Sequence, residues 1–216
     1  MHGEIKILLA DANSLIRVGV TTLLSNINNL TISDEAQNGI KAYDLARKTK
    51  PDLLILDADL PIINGYETGR RVRVSIPRIQ FIVLSSDADD LNVRHSLRSG
   101  AAGFVVKNNA KKELINAIRM VVAGRLYYSP EVSGSLVEEI SKRTAPYNLN
   151  KGIQSLTIRE LEILSYISRG ETNRQIGQRL YRSAKTMDKH RQNIMKKLDI
   201  HTKDELIKFA KKNNIN

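Results

Sequence analysis

The stretch of sequence that decides the fold is PDLLILDADLPIINGYE, residues 51–67. A short apolar run, 52–56, leads directly into the acidic residues Asp57 and Asp59, and a glycine, Gly65, follows. An almost unbroken apolar run of about five residues is typical of a strand that is buried on both faces of a parallel sheet. In such sheets the functional site lies at the carboxyl ends of the strands. The stretch therefore predicts an α/β domain with a site at Asp57.

The same alternation extends on both sides of this stretch, over the first 126 residues. Short apolar runs alternate with amphipathic segments, which predicts consecutive βα units. The predicted strands are 5–10, 30–32, 52–56, 79–84 and 103–106, and the predicted helices are 14–25, 40–48, 65–74, 89–99 and 111–123. Together they predict a flavodoxin-like fold, in which a doubly wound, five-stranded parallel sheet is covered by helices.

Polar residues stand where four of these strands end: Asp11, Asp57, Ser85 and Lys107. Because the ends of parallel strands meet at one edge of the sheet, we expect the four side chains to lie close together. One aspartate can act as a nucleophile, and a second carboxylate can help to hold Mg²⁺. The hydroxyl and the ammonium can stabilise a transferred phosphoryl group. Any one of these residues alone is more simply explained as a polar strand end, but the four together favour a phosphoryl site.

At these residues the sequence resembles the receiver domain of two-component response regulators. The segments ILLADANSLIRVGV, PDLLILDADLPIINGYE, IVLSS and GAAGFVVK carry the resemblance, which extends over residues 4–124. It implies a sensor histidine kinase as a partner and a Mg²⁺ ion held by Asp11, Asp57 and the backbone carbonyl of Asp59. The other roles that it implies are phospho-acceptor for Asp57, switch hydroxyl for Ser85, phosphate-contacting lysine for Lys107 and mobile switch aromatic for Phe104.

One position departs from the receiver pattern. The family has two consecutive acids after the first strand, whereas this sequence has Asp11 followed by Ala12. Ala12 stands at the place of a direct Mg²⁺ ligand, and losing a carboxylate lowers the charge of a site for a small cation. We therefore expect weak Mg²⁺ binding and slow or absent phosphorylation of Asp57. The receiver would then signal by dimerisation, through a ligand or through protein partners.

The positive charge is concentrated near the C-terminus. The net charge is +11, and residues 151–216 hold 15 Lys and Arg against 7 Asp and Glu. A basic terminal module indicates a polyanionic partner such as nucleic acid, although a solvated helical surface explains the charge equally well. The sequence has no Cys, which excludes disulfides and thiolate sites. It also lacks an apolar run long enough to span a bilayer, so we expect a cytoplasmic protein without a membrane partner.

Residues 127–154 are predicted to be a linker. A helix is expected over 130–143, because Pro130 suits a first helical turn, and a flexible segment with Pro146 and Gly152 follows over 144–154. Beyond the linker the sequence predicts helices only. Capping boxes begin the first and the last of them, at 157–160 and 202–205, and two more helices are expected at 173–180 and 185–198.

The segment LTIRELEILSYISRGETNRQIGQRLYRSAKTMDKHRQNIMKKL resembles the helix-turn-helix of LuxR-type regulators of the NarL/FixJ group. The resemblance divides the chain into a receiver domain, 1–126, a linker, 127–154, and an all-α DNA-binding domain, 155–216. It implies a transcription regulator that is not an enzyme and that binds double-stranded DNA as a homodimer. The final helix, 203–212, would be a dimer contact by resemblance, but packing inside its own domain is an equal alternative.

Helical geometry separates two faces on the predicted helix 185–198. Met187, Ile194 and Leu198 share an apolar face, and a polar face opposite them suits the major groove of DNA. His190 lies near the apolar side and is expected to be a packed structural residue. On the polar face, base contacts are assigned to Lys189 for guanine, Gln192 for adenine and Asp188 for cytosine. Phosphate contacts are assigned to Lys185, Lys196, Asn173, Arg182, Ser183, Thr186 and Arg191.

Two other classes of protein remain as alternatives. The segment LILDAD, 54–59, resembles the motif of phosphatases of the haloacid dehalogenase class, in which the first aspartate is the nucleophile. That motif usually ends the first strand, whereas here it ends the third, and the basic C-terminal third would be unexplained. A flavodoxin-like flavin-binding module is the other alternative, but the sequence shows no recognisable phosphate loop for a flavin.

Overall fold

The computed structural model describes residues 4–132, 151–213 and 215. These residues form two compact units, a first built from 4–60 and 64–132 and a second built from 61–63, 151–213 and 215. Within the described ranges the first unit contains the strands and the second contains helices only. In the same ranges, none of the helices combines the length and the apolar character that a membrane crossing needs.

A parallel sheet is the centre of the first unit, with the strand order β2-β1-β3-β4-β5-β6. Its central strands are buried on both faces, which explains why their sequences are apolar without alternation. The strands are β1 (Ile5–Ala10), β2 (Leu30–Ala36), β3 (Leu53–Asp57), β4 (Gln80–Ser85), β5 (Gly103–Val106) and β6 (Tyr127–Tyr128).

The five predicted strands are all present, and so are the five predicted helices between them. Four of these helices begin at an Asn or Asp whose side chain accepts a backbone N–H of the first turn, at Asn13, Asn38, Asn64 and Asp89. The helices are α1 (Ser14–Ser25), α2 (Gly39–Thr49), α3 (Gly65–Ser75), α4 (Asp90–Ser99) and α5 (Ala110–Val122).

Two apolar cores lie on opposite faces of the sheet. Phe81 and Phe104 are fully buried in the core beneath α2, α3 and α4, whereas Ile7 and Ile118 are fully buried in the core beneath α1 and α5. Gly65 lets α3 begin directly against the site strand, since a Cβ there would overlap the carbonyl oxygen of Asp57. The cores therefore fix the sheet edge at which Asp57 lies.

The sheet differs from the prediction at its two edges. β2 extends to Ala36, whereas the prediction ended it at residue 32. The apolar run did not mark its second half, because an edge strand such as β2 alternates less and more exposed residues. A sixth strand, β6, lies within the segment assigned to the linker. It is held by hydrogen bonds from Tyr127 N–H to the carbonyl of Ala102 (3.0 Å) and from Ser129 N–H to the carbonyl of Phe104 (2.9 Å).

The linker segment is only partly described. Its first residues continue from β6 into a short 3₁₀ turn, Pro130–Val132, and most of the helix predicted over 130–143 lies outside the described residues. Residues 151–154, predicted to lie in a flexible segment, belong to a helix, Lys151–Ser155. Gly152 supports this helix, since a Cβ would lie 2.9 Å from Leu198 Cδ2 and 3.4 Å from the Phe209 ring. The missing side chain permits close packing.

The second unit is a small helical domain, and its predicted capping boxes at Thr157 and Thr202 are both present. A third one, which the sequence analysis missed, joins Thr172 to Gln175. The final helix buries Leu206 and Ala210 within its own unit. The helices are α6 (Lys151–Ser155), α7 (Ile158–Ser168), α8 (Asn173–Arg179), α9 (Ala184–Leu198) and α10 (Lys203–Lys212).

Candidate functional site

The four residues predicted to form a phosphoryl site lie together at the carboxyl edge of the sheet. Lys107, at the end of β5, places its Nζ 2.9 Å from Asp11 Oδ2 and 2.9 Å from Asp57 Oδ1. Asp11, Asp57 and Ser85 are each more than nine-tenths buried. Ser85 follows Leu84, which lies beside Asp57 in the sheet, and its Oγ accepts the N–H of Asp87 at 3.4 Å. The four side chains therefore share one edge, and Lys107 bridges the two aspartates.

Each aspartate also accepts a backbone hydrogen bond. Asp11 Oδ1 accepts the N–H of Asn13 at 2.8 Å, so both oxygens of Asp11 are engaged. Asp57 Oδ1 accepts the N–H of Asp59 at 3.3 Å in addition to its contact with Lys107. Within the described residues, Asp57 Oδ2 has no hydrogen-bond donor. Its second oxygen is therefore the one that an incoming group would meet.

One ammonium shared by two carboxylates sets the electrostatics of the site. Burial raises the pKa of Asp57, the charge of Asp11 raises it further, and the hydrogen bond from Lys107 only partly opposes both. For Lys107, burial lowers the pKa, but hydrogen bonds to two carboxylates outweigh this effect and raise the pKa overall. The lysine therefore stays charged, while Asp57 holds its negative charge less readily than a solvated aspartate.

The residues present fit a Mg²⁺ ion poorly. Ala12 is exposed, and its side chain is only a methyl group. Both carboxylate oxygens of Asp11 already accept hydrogen bonds, one from Asn13 and one from Lys107. Among the described residues, no group of three or more His, Cys, Asp and Glu side chains is arranged to hold a metal. Arg17, which the sequence analysis missed, donates to the carbonyl of Asp11 at 2.8 Å and pairs with Glu35 at 2.8 Å. A fixed cation thus lies beside the position where the family has an acid.

Phe104 lies in the inward position that a switch aromatic can occupy. It is fully buried, and its ring stacks on that of Tyr128 with centroids 6.3 Å apart and planes 8° from parallel. The neighbouring Ser129 accepts the N–H of Val106 at 3.1 Å and donates to Glu113. The sequence did not indicate β6, because two residues are too few to show a strand pattern.

The second candidate site is the polar face of α9. Met187 and Ile194 are fully buried, as the helical geometry predicts, and His190 is half-buried. On the opposite face the cationic and amide side chains are exposed, and Arg182 and Ser183 are exposed at the start of the helix. The exposed residues of this face, which we call the α9 polar face, are Lys185, Asp188, Lys189, Gln192 and Lys196.

Several of the predicted DNA-contacting residues bind one another. Asn173 Nδ2 donates to Asp188 Oδ1 at 3.2 Å, and Gln192 Nε2 donates to Asp188 Oδ2 at 3.1 Å. Arg191 donates to Asn173 Oδ1. Asp188 is therefore already engaged on both oxygens, which the sequence analysis did not anticipate.

The start of α9 is fixed by its own cap. Ser183 Oγ accepts the N–H of Thr186 at 3.1 Å and so caps the N-terminus of α9. Both residues are also among those predicted to contact phosphate. Further along, Lys197 Nζ lies 2.6 Å from Glu160 Oε2. Burial raises the pKa of Glu160, but this lysine and the N–H of Thr157 lower it more strongly, so the pKa lies below its usual value. The pair ties α9 to α7 and holds the polar face outward.

Known proteins match both units. Residues 7–119 match the family described as the response regulator receiver domain, and residues 154–210 match the bacterial regulatory proteins of the luxR family. The chain is 33% identical to the oxygen regulatory protein NreC of Staphylococcus carnosus (strain TM300) over 213 residues, which cover 97% of this chain and 98% of that protein.

Solved structures give the same result. A LuxR-family two-component response regulator from Aurantimonas sp. SI85-9A1 is 27% identical, with a TM-score of 0.60, over 64% of this chain and 99% of that chain. The response regulator RcsB, solved in a complex with DNA, matches with a TM-score of 0.59 over 99% of this chain and 100% of its own. At 21% identity the likeness to RcsB concerns the fold alone.

These matches decide between the classes that the sequence left open. The receiver family covers Asp57 and its strand, and the LuxR family covers the basic helical unit. The haloacid dehalogenase alternative has no support, since it leaves the second unit unexplained. A receiver domain followed by a LuxR-type domain is the arrangement of the NarL/FixJ group of two-component response regulators, and this chain belongs to that group as a DNA-binding regulator of transcription.

Proposed function

We propose that this regulator binds specific double-stranded DNA as a homodimer through the α9 polar face, and that its receiver signals with little dependence on phosphorylated Asp57. It acts in the cytoplasm, where it reaches chromosomal DNA, and it catalyses no turnover of a substrate. The observation that carries the proposal is the exposure of Lys185, Lys189 and Lys196 on one side of α9, whose other side buries Met187 and Ile194.

The charge of the second unit supports binding to DNA. Cationic side chains on the α9 polar face release counterions when they contact phosphates, which gives affinity without regard to sequence. Lys189 and Gln192 lie between Lys185 and Lys196 along the helix, and their side chains suit guanine and adenine edges in the major groove. Phosphate contacts at the ends of the helix would thus position the central residues over the bases.

A dimer is the form in which such a helix reads a site of useful length. One recognition helix covers only a few base pairs, and two-fold related helices read inverted half-sites about 34 Å apart. The surface of α10 that remains after Leu206 and Ala210 are buried includes the half-buried Ile207 and Phe209. We assign this remaining surface to the dimer contact.

The receiver retains the parts that a sensor histidine kinase would address, namely a buried acceptor, Asp57, with Ser85 and Lys107 at the same edge. What it lacks is a full set of metal ligands, because Ala12 offers none and Arg17 adds positive charge nearby. We therefore propose a kinase partner whose phosphoryl transfer to Asp57 is slow, with Mg²⁺ held weakly by Asp11, Asp57 and the carbonyl of Asp59.

The proposed function is tested by measuring the binding of the full chain to genomic fragments over a range of salt concentrations. The same titrations are made with and without a small phosphodonor and Mg²⁺. We expect tight binding to a few fragments, a steep loss of affinity with salt and little change on adding the phosphodonor. Equal affinity for all fragments would contradict sequence-specific regulation, and a large increase with the phosphodonor would contradict the proposed weak dependence on Asp57.

A further inference from the structure

An apolar groove lies between α1 and the start of α5 in the first unit. Its cavity volume is about 370 Å³, within the range of roughly 300–1,000 Å³ that is usual for small-molecule sites. Its walls are mainly aliphatic, formed by Leu15, Ile16, Val20 and Leu23 of α1 and by Leu84 at the end of β4. The groove therefore offers a concave apolar surface next to the carboxyl edge of the sheet.

α1 presents more apolar surface than the core of its own unit uses. Only Val20 and Leu24 of this helix are buried, whereas Leu15, which lines the groove, is 78% exposed. Exposed apolar side chains that line a concave surface are typical of binding sites. The groove side of α1 is thus an unfilled contact surface.

The charge at the rim of the groove is positive. Lys111 is exposed at the start of α5, and within the part of the chain that the structure describes it has no ion-pair partner. Lys107 also lines the groove, with its ammonium held by Asp11 and Asp57. No acidic side chain is among the described residues that line the groove. An apolar wall with a free lysine at its rim is complementary to a molecule with an apolar body and an anionic end.

We propose that the groove between α1 and α5 binds an amphipathic organic acid, with its aliphatic body against α1 and its carboxylate beside Lys111. This inference goes beyond the DNA-binding function and does not depend on it. Leu84 and Lys107 connect the groove to the acceptor site, because Leu84 precedes Ser85 and Lys107 bridges the two aspartates. A ligand packed against Lys107 would change the contacts of its ammonium with Asp11 and Asp57, and this effect needs no metal ion.

The test measures binding of decanoate to the full chain by isothermal titration calorimetry. We expect saturable binding of one decanoate per chain. Decanol, which has no carboxylate, and acetate, which has no long aliphatic chain, should both bind much more weakly. Gly19→Leu should abolish binding by filling the groove, since no atom lies within 4 Å of a Cβ built at Gly19. Lys111→Gln should weaken binding roughly tenfold, the effect of losing one charge-assisted contact.

Lys112→Gln is the matched control, because Lys112 is an exposed neighbour that does not line the groove. Circular dichroism and thermal melting report whether each variant is folded, and the two lysine variants keep the test valid if Gly19→Leu is unstable. No saturable binding to the unmodified chain, or equal losses in Lys111→Gln and Lys112→Gln, would overturn the proposal. It would also be overturned if Gly19→Leu changed only the oligomeric state, since the groove would then be a contact between two copies of the chain.

Discussion

Asn173 on α8 and Asp188 on α9 are joined by a hydrogen bond of 3.2 Å from the amide Nδ2 to the carboxylate Oδ1. The other carboxylate oxygen of Asp188 accepts Gln192 Nε2 at 3.1 Å. Asp188 thus connects the two helices of the helix-turn-helix and holds the side chain that we assign to adenine. In this structure the carboxylate of Asp188 holds the side chain of Gln192, whereas the sequence predicted that Asp188 contacts cytosine directly.

Replacing Asp188 by Ala should therefore reduce sequence discrimination more than affinity. Gln192 would lose its fixed orientation, and we expect a loss of about 1–3 kcal/mol in the preference at the base pair that it reads. Removing a negative charge near phosphates should leave total affinity equal or higher. Competition binding with single-base variants of the site measures both quantities.

Asp204→Ala is the charge-matched control, since Asp204 is exposed in the first turn of α10 and is not one of the residues of the α9 polar face. It should preserve discrimination. If Asp188→Ala and Asp204→Ala changed base preference equally, the positioning role of Asp188 would be wrong.

Two lysines of the α9 polar face should respond differently to removal. Lys189→Ala is expected to relax base preference, because Lys189 is assigned to a guanine edge. Lys196→Ala should weaken binding to all sequences alike and reduce the salt slope by about 1, because it is assigned to phosphate. Affinities for specific and random duplexes at several salt concentrations separate these outcomes. The assigned roles would be contradicted by the same loss of discrimination in both variants.

The missing acid at position 12 gives a gain-of-function prediction. Ala12→Asp restores a carboxylate beside Asp11, so Mg²⁺ should bind more tightly and a small phosphodonor should label Asp57 faster. The expected increase is roughly tenfold or more, since one charged ligand contributes more than about 1.4 kcal/mol. Intact-mass spectrometry measures the phosphorylated fraction over time, with Ala12→Asn as a neutral control. Labelling of the unmodified chain as fast as that of Ala12→Asp would disprove the expectation.

The two parts of the sequence that carried regular patterns predicted their structures well. β1, β3, β4 and β5 are buried on both faces, so their apolar runs marked both the strands and the strand ends that meet at Lys107. The capping boxes at Thr157 and Thr202 likewise marked helix starts, because their side-chain contacts are local in sequence. Local patterns were thus sufficient for the fold and for the place of the site.

Contacts between distant residues were beyond such patterns. The hydrogen bond of Asn173 with Asp188 depends on how α8 packs against α9, and the contact of Arg17 with Glu35 depends on the pairing of β1 with β2. Gly152 was taken as a helix breaker, because only the packed structure shows Leu198 and Phe209 against it. Partners across elements, more than the elements themselves, were what the sequence did not reveal.

Two glycines in helices should respond in opposite directions to Ala. At Gly65 a Cβ would overlap the carbonyl oxygen of Asp57, a backbone atom that cannot move freely, so Gly65→Ala should destabilise the first unit by about 1–3 kcal/mol. At Gly19 no atom lies within 4 Å of a Cβ, and Gly19→Ala should stabilise by about 0.5–1 kcal/mol through lower backbone entropy in the unfolded chain. Urea unfolding of both variants tests this pair. Two destabilised variants would show that α1 does not tolerate a Cβ at position 19.

The raised pKa of Asp57 predicts how stability depends on pH. A carboxyl whose pKa is higher in the folded chain binds more protons there than in the unfolded chain. The contribution of Asp57 to the free energy of unfolding therefore falls as the pH rises from its ordinary pKa of 3.8 to its raised pKa in the folded chain. At neutral pH the destabilisation by the buried carboxylate is fully present.

Asp57→Asn removes this charge with little change in shape. It should raise the Tm at pH 7, and the difference from the unmodified chain should shrink as the pH approaches 4. Thermal melting at several pH values measures the effect, and Asp59→Asn serves as a control because the side chain of Asp59 is exposed. A lower Tm for Asp57→Asn at pH 7 would show that pairing with Lys107 outweighs the burial of the carboxylate, and the electrostatic account of the site would then have to be reversed.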